Sequence, residues 1–162
     1  MKMRGQSIGP AARVLVLVGL GILAGPRPPA GADARDDLAR ELGRLAGTWA
    51  QVSHEENGVK NPTGIARKVT LTFNGSRYTA KGDGRGDDAG AVELDLSKDP
   101  KTIDLAATSG PGKGQRLVGI YKLEGDVLTL CIASEPGGER PTKFAAPRGA
   151  KQFLLTLKRR KR

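Results

Sequence analysis

The 162-residue chain is poor in cysteine: it has only one, Cys131. A single cysteine excludes an internal disulfide, so the fold must be stabilised by its hydrophobic core. Cys131 lies in the mostly apolar segment 128–132, and no basic neighbour in sequence would lower the pKa of its thiol. We therefore expect a small buried side chain rather than a reactive thiol.

Histidine is equally scarce, and this argues against catalysis. His54, followed by Glu55 and Glu56, is the only one, and a metal or general-base site would need further ligands from other strands. We expect these three residues to be solvated in a polar loop after the first strand. No serine, threonine or cysteine has a base as its partner in the sequence. We therefore expect no enzyme activity, no metal and no cofactor.

No hydrophobic run is long enough to cross a membrane. The longest, residues 14–24, has eleven residues, and as a helix it would rise about 16 Å, half of the roughly 30 Å hydrocarbon core. It follows basic residues and precedes a Pro/Gly-rich stretch that ends in Ala-Gly-Ala at 30–32, which is the pattern of a secretory signal peptide. We predict a signal peptide at 1–32 and export to the periplasm, cell envelope or medium. An uncleaved membrane tether is the alternative.

Positive charge is concentrated at the two ends of the chain. The formal net charge is +10, yet residues 33–157 hold 18 Lys/Arg against 17 Asp/Glu, and residues 158–162 are all basic. This divides the chain into the signal peptide, a nearly neutral domain at 33–157 and a basic tail at 158–162. The tail suits weak contact with an anionic envelope surface. With aromatics at 4%, we expect no specific nucleic-acid partner.

The sequence pattern changes from a helical to a strand period near Gly47. Leu38, Leu42 and Leu45 have helical spacing, which predicts one short amphipathic helix at 36–46. The clearest strands, 67–73 and 76–81, flank Asn74-Gly75, a dipeptide that tolerates the positive φ values of a tight hairpin turn. The remaining predicted strands are 47–53, 91–96, 102–107, 115–123, 127–133 and 153–158.

About eight strands are enough to close a small barrel and remove its exposed edges. We therefore predict an all-β fold, an antiparallel β-barrel of about eight strands with a short N-terminal helix, and a monomer. No internal repeat is visible, which disfavours a propeller or a solenoid.

Six short motifs follow one another along the domain. They read LAGTW at 45–49, ENG at 56–58, PKTID at 100–104, GIY and LEGD within 119–126, and RPT with Phe144 at 140–144. In this ordered set the chain resembles a family of uncharacterised exported domains, abundant in planctomycetes, that is described as lipocalin-like. The resemblance implies a lipocalin-like barrel and export, and it implies no known reaction, cofactor or catalytic residue.

Gly47 and Trp49 also resemble the signature at the start of the first strand of true lipocalins. In those barrels the tryptophan plugs the closed end, and a basic side chain near the end of the last strand lies over the indole, a contact worth about 1 kcal/mol. Lys158 or Arg159 is the matching candidate. The alternative is that Trp49 is an ordinary core aromatic.

Two functional hypotheses follow. The first is an exported barrel that binds a small apolar or amphipathic molecule, with Trp49, Tyr78, Tyr121 and Phe144 as candidates for lining the site. Arg140 is a further candidate, because its planar guanidinium suits an anion; we favour instead an internal pair with an acid that fixes its loop, with Phe144 packing on the barrel mouth. The second is a structural or interaction protein of the cell envelope, with a filled barrel and a basic tail.

Two glycine-rich segments resemble ligand-binding loops but lack key residues. In segment 82–88, Arg85 lies where a calcium loop needs an oxygen donor. Segment 110–114 lacks the Lys-Ser/Thr step and the following helix of a phosphate-binding loop. We expect a flexible turn and a hairpin loop.

Overall fold

The computed structural model describes residues 30–62, 69–82 and 86–161. Residues 1–29 of the predicted signal peptide, 67–68 of a predicted strand, 83–85 of the predicted flexible turn and 162 of the predicted basic tail lie outside this part. No helix in the described ranges is long and apolar enough to cross a membrane. The described elements, in chain order, are α1 (Ala30–Leu45), β1 (Gly47–Glu56), β2 (Val59–Pro62), β3 (Thr70–Asn74), β4 (Arg77–Lys81), β5 (Asp88–Asp95), β6 (Thr102–Ser109), β7 (Arg116–Glu124), β8 (Val127–Ala133) and β9 (Gln152–Arg159).

The strands form one closed antiparallel barrel. Each strand from β3 to β8 pairs with the next along the chain, and β1 pairs with both β3 and β9 to close the barrel. Strand β2 pairs with residues 53–56 of β1, whereas β3 pairs with residues 47–50. Because β2 and β3 lie end to end along the same side of β1, they occupy one position between them, and the barrel is eight strands around. The predicted all-β, lipocalin-like barrel with a short N-terminal helix is confirmed.

Strand β2 is the one element that we did not predict. It forms a hairpin with β1 through Asn57 and Gly58, whose φ angles are 52° and 76°, the conformation that the predicted Asn74-Gly75 turn also requires. The placement of His54, Glu55 and Glu56 in a loop is therefore wrong, because β1 continues through Glu56 before it turns.

The ends of the domain also differ from the predicted bounds. Helix α1 begins at Ala30 rather than at residue 36, so the predicted cleavage motif at 30–32 forms its first turn. Strand β9 extends to Arg159, because β1 and β8 both provide backbone partners for Lys158. The predicted tail therefore starts inside the barrel wall.

The hydrophobic core lies inside the barrel, and α1 covers one end of it. Leu45 at the end of α1 is fully buried in this core, and Leu42 packs against it. We call this the closed end, and the opposite end, near Glu56 and Phe153, the open end. The inward side chains include Trp49, Leu71, Phe73, Val92, Ile103, Tyr121, Leu130, Leu155 and Leu157.

The connection between β8 and β9, residues 134–151, covers part of the outer face of the barrel. Cys131 lies beneath it, because Leu130 and Ile132 on either side belong to the interior core. The thiol is fully buried and donates a hydrogen bond to the carbonyl of Ala145 at 3.4 Å. Burial raises the pKa of this thiol, so the predicted small buried side chain is confirmed.

Candidate functional site

The barrel holds a cavity of about 170 Å³ near its open end. Three of its wall residues show which end it occupies: Val69 just before β3, Lys81 at the end of β4 and Asp88 at the start of β5. The walls are mostly apolar and include Val69, Leu71, Leu105, Ile132, Phe153 and Leu155, with Tyr78, Lys81 and Asp88 as polar members.

The volume of the cavity limits what it can hold. Sites for drug-sized ligands occupy about 300–1,000 Å³, whereas a hydrocarbon-lined cavity of about 150 Å³ accommodates benzene. At about 170 Å³, this cavity matches a single aromatic ring or a short branched aliphatic molecule. A long acyl chain would not fit entirely inside it.

Trp49 fills the closed end instead of lining the cavity. Its side chain has 0% exposure, and its indole nitrogen donates a hydrogen bond to the carbonyl of Leu45 at 2.8 Å. The guanidinium carbon of Arg159 lies 4.1 Å from the centre of the indole ring. The predicted cation–π contact is therefore confirmed, and Arg159 rather than Lys158 makes it.

Arg159 also fixes the end of α1. Its guanidinium donates hydrogen bonds to the carbonyls of Arg44, at 2.7 Å, and Ala46, and its Nε donates to the carboxylate of Asp126 at 3.0 Å. Carbonyls in the last turn of a helix have no partner within the helix, so a cation there satisfies them. Arg159 thus belongs to the closure of the barrel.

Tyr121 connects the barrel to α1 through Glu41. The tyrosine hydroxyl donates to Glu41 Oε1 at 3.1 Å, and Lys101 donates to the same oxygen at 2.9 Å. Arg44 pairs with Glu41 Oε2 at 2.8 Å. Burial of Glu41 would raise its pKa, but these hydrogen bonds and the charges of Lys101 and Arg44 outweigh burial and lower it. Burial and the Glu41 charge raise the pKa of Tyr121, so this residue is a neutral donor of the closed end.

We expect Glu41 to make the folded state sensitive to acid. Its pKa is lower in the folded chain than the ordinary value of 4.5, so the unfolded chain takes up the proton more readily. The stabilisation from this group is therefore complete above that value and is lost as the pH falls through the lower folded-state pKa. Urea unfolding at a series of pH values should show a shallower loss of stability in acid for Glu41→Gln than for the native chain. Glu139→Gln, which alters an exposed acid, should retain the native slope; a native slope in Glu41→Gln as well would contradict this role.

Arg140 pairs with an internal acid on the outer face. Its Nη1 donates to Asp104 Oδ1 and, at 2.8 Å, to the carbonyl of Gly119. Asp104 lies between the inward residues Ile103 and Leu105 of β6 and therefore points outward. It also accepts a hydrogen bond from Arg116 at 2.8 Å. Arg140 thus adopts the internal-pair alternative, on the opposite side of the barrel wall from the cavity.

Asp104 was not a candidate in the sequence, although it organises this outer cluster. Its side chain is only 12% exposed. Burial would raise its pKa, but the hydrogen bonds from Arg140 and Arg116 outweigh burial and lower it. The alternating pattern of β6 placed Asp104 outward and gave no sign that the connection 134–151 would cover it.

We expected Phe144 to pack on the barrel mouth, and this prediction is wrong. The ammonium of Lys122 lies 5.7 Å from the centre of its ring, and Lys122 is an exposed residue beside the inward Tyr121 on β7. The ring therefore packs on the outer face, because the connection that carries it crosses the outside of the barrel.

Of the five predicted site residues, Tyr78 alone lines the cavity. Burial, together with the nearby charge of Asp88, raises the pKa of its hydroxyl. The structure also places two unpredicted side chains in this region. His54 packs edge-on against Phe153 with the ring centres 5.9 Å apart, and Gln51 is buried on the inward face of β1.

In the described part of the chain, no three His, Cys, Asp or Glu side chains are placed to hold a metal ion. No protein-family model matches the sequence, and no curated protein matches it either. The resemblance to lipocalin-like exported domains of planctomycetes therefore remains an expectation from the sequence motifs. The fold and the cavity are the observations on which a function can be proposed.

Proposed function

We propose that this chain is an exported barrel that binds a small apolar or amphipathic molecule in the cavity near its open end. The cavity itself is the observation that supports this proposal. Trp49 and Leu45 are fully buried in the closed end, whereas the open end has a cavity of about 170 Å³ within mostly apolar walls. Apolar walls favour an apolar ligand because its transfer from water removes apolar surface from solvent.

The polar residues of the cavity support an amphipathic ligand. Tyr78, Lys81 and Asp88 are part of its walls, and the ammonium of Lys81 lies 3.3 Å from the carboxylate of Asp87. A ligand the size of one ring can bury its apolar body against Leu105 and Leu155. Its polar group can then lie near the polar residues of the wall.

Export and surface contact are further parts of the proposal. Export rests on the charge and hydrophobicity pattern of residues 1–32. Contact with an anionic envelope surface rests on Lys158, Arg160 and Lys161, all of which are exposed. The alternative function, a filled barrel that acts only through its surface, uses the same residues but needs no ligand.

Native mass spectrometry of the chain purified gently from its own host tests ligand binding and export together. We expect one peak at the mass of a chain that begins near residue 33. We expect a second peak that is heavier by the mass of one small molecule. The peak should disappear in Ala80→Leu, because Ala80 lines the cavity, and remain in Ala91→Leu. Ala91 precedes Val92, whose side chain lies in the interior core, so the Ala91 side chain is on the outer face. A bare mass in all three proteins would favour the filled barrel.

A further inference from the structure

Strand β4 places a phenol ring in the wall of the cavity. Tyr78 lies opposite Phe73 of β3 and opposite Gly90 of β5. Residues that are directly opposite in an antiparallel pair share a face of the sheet, and Phe73 belongs to the interior core, so Tyr78 points into the barrel. Tyr78 lines the cavity, and only 6% of it is exposed. The ring is therefore a wall of the cavity and has little contact with bulk water.

The hydroxyl of this ring has no hydrogen-bond partner among the described residues. In contrast, the hydroxyl of Tyr121 donates to Glu41 at 3.1 Å. Among the described side chains, Gln51 Nε2 is the one unpaired nitrogen or oxygen that is completely enclosed, so the Tyr78 hydroxyl retains accessible surface. Because the ring lies inside the barrel, this surface faces the cavity. A buried tyrosine hydroxyl usually has a partner, and here a molecule in the cavity can provide it.

Asp88 is the acidic group of the same wall. It precedes Gly90, the residue opposite Tyr78, by two positions and therefore shares its face of β5. Asp88 Oδ1 accepts a hydrogen bond from the backbone nitrogen of Gly112 at 2.7 Å, which fixes the carboxylate. Burial and the Asp88 charge raise the pKa of Tyr78, so the hydroxyl keeps its proton and can donate it. The carboxylate can only accept hydrogen bonds, and its charge disfavours an anionic ligand.

We infer that the Tyr78 hydroxyl donates a hydrogen bond to the molecule bound in the cavity, and that the polar group of this molecule is a neutral hydroxyl. A hydroxyl can accept from Tyr78 and donate to the Asp88 carboxylate. With the cavity volume of about 170 Å³, the ligand class is a small phenol or a short branched alcohol. This inference rests on the proposed function, since it assigns a ligand to the same cavity.

A matched pair of probes tests this assignment. Phenol and toluene have nearly the same shape, but only phenol has a hydroxyl. Their dissociation constants are measured by calorimetry at neutral pH for the native chain, for Tyr78→Phe and for Tyr121→Phe. The last variant is the control, because it loses the same hydroxyl from the closed end, where that group is bonded to Glu41. Using the same two probes throughout cancels their different solubilities in water.

We expect the dissociation constant of toluene divided by that of phenol to fall roughly fivefold to tenfold in Tyr78→Phe, the size of one hydrogen bond. It should not change in Tyr121→Phe. A site with a buried donor discriminates against an analogue that lacks the acceptor, because the donor is then left unpaired. The native ratio should therefore favour phenol more than the Tyr78→Phe ratio does.

A second measurement uses the native chain alone. The chain has two tyrosines, so isotopic labelling of the tyrosine Cζ carbons gives one test resonance and one internal control. The Tyr78 resonance should shift more with phenol than with toluene, and the Tyr121 resonance should shift with neither. If both probes bind but neither the ratio nor the Tyr78 resonance distinguishes them, the Tyr78 assignment is overturned and the binding function stands. If neither probe binds the native chain, the proposed function fails and the assignment fails with it.

Discussion

Trp49→Ala is expected to lower the free energy of unfolding by about 3–5 kcal/mol. The substitution removes a fully buried ring from the closed end and with it the hydrogen bond to Leu45 and the contact with Arg159. The neighbouring side chains cannot collapse into the space, because α1 and the barrel wall hold them apart. Chemical denaturation of the purified variant, followed by circular dichroism, measures the loss.

Trp49→Phe is the matched control for this prediction. It retains a ring in the closed end but loses the indole N–H, so we expect a smaller loss than for alanine. If Trp49→Ala costs less than about 1 kcal/mol, far below the usual range for a buried aromatic, Trp49 does not plug the barrel.

Gly90→Ala is expected to destabilise the chain by about 3 kcal/mol or more, the upper range for overpacking. A Cβ atom at position 90 would overlap the carbonyl oxygen of Ala106 and lie 2.8 Å from Cα of Ala107. Both contacts are with backbone of the paired strand, at the point where the register between β5 and β6 shifts. Relief would require β5 and β6 to separate, because no flexible side chain can move aside.

Gly43→Ala in α1 is the same chemical change as Gly90→Ala, but we expect the opposite effect on stability. No atom lies within 4 Å of a Cβ built at Gly43, and alanine is the better helix former by about 0.5–1 kcal/mol. The variant should therefore be slightly more stable than the native chain. Equal stability of Gly90→Ala and Gly43→Ala in a denaturant titration would show that β5 and β6 are not packed as described.

The fold was predictable because strand alternation and turn residues agree along most of the chain. Asn74-Gly75 marks the β3–β4 hairpin, and Glu124-Gly125-Asp126 marks the turn between β7 and β8. Strand β2 could not be recognised by alternation, since its four residues are Val59, Lys60, Asn61 and Pro62. Asn57-Gly58 carried the same turn signal as Asn74-Gly75 and would have revealed the β1–β2 hairpin.

The site was less predictable. Alternation of apolar and polar residues separates the two faces of a strand, but it does not show which end of the barrel is filled by side chains. The Gly47 and Trp49 signature offered a plug as one interpretation of Trp49, beside an ordinary core aromatic and a residue that lines the site. The structure places Trp49 at the closed end, under Arg159. Arg140 and Phe144 lie in a connection of irregular structure, and only the three-dimensional path of that connection places them outside. The inward position of Gln51 could have been predicted, since a period of two puts it on the same face of β1 as Trp49.

A titration of the purified chain with ethylbenzene, followed by the backbone amide resonances, tests the central claim most directly. The account predicts saturable binding at millimolar concentration or below, equivalent to about −4 kcal/mol or better. The shifts should concentrate on β3, β4 and β9 around Val69, Ala80 and Leu155, weaken strongly in Ala80→Leu and persist in Ala91→Leu. Shifts that are absent, or that are the same in Ala80→Leu as in the native chain, would contradict a binding site in the barrel.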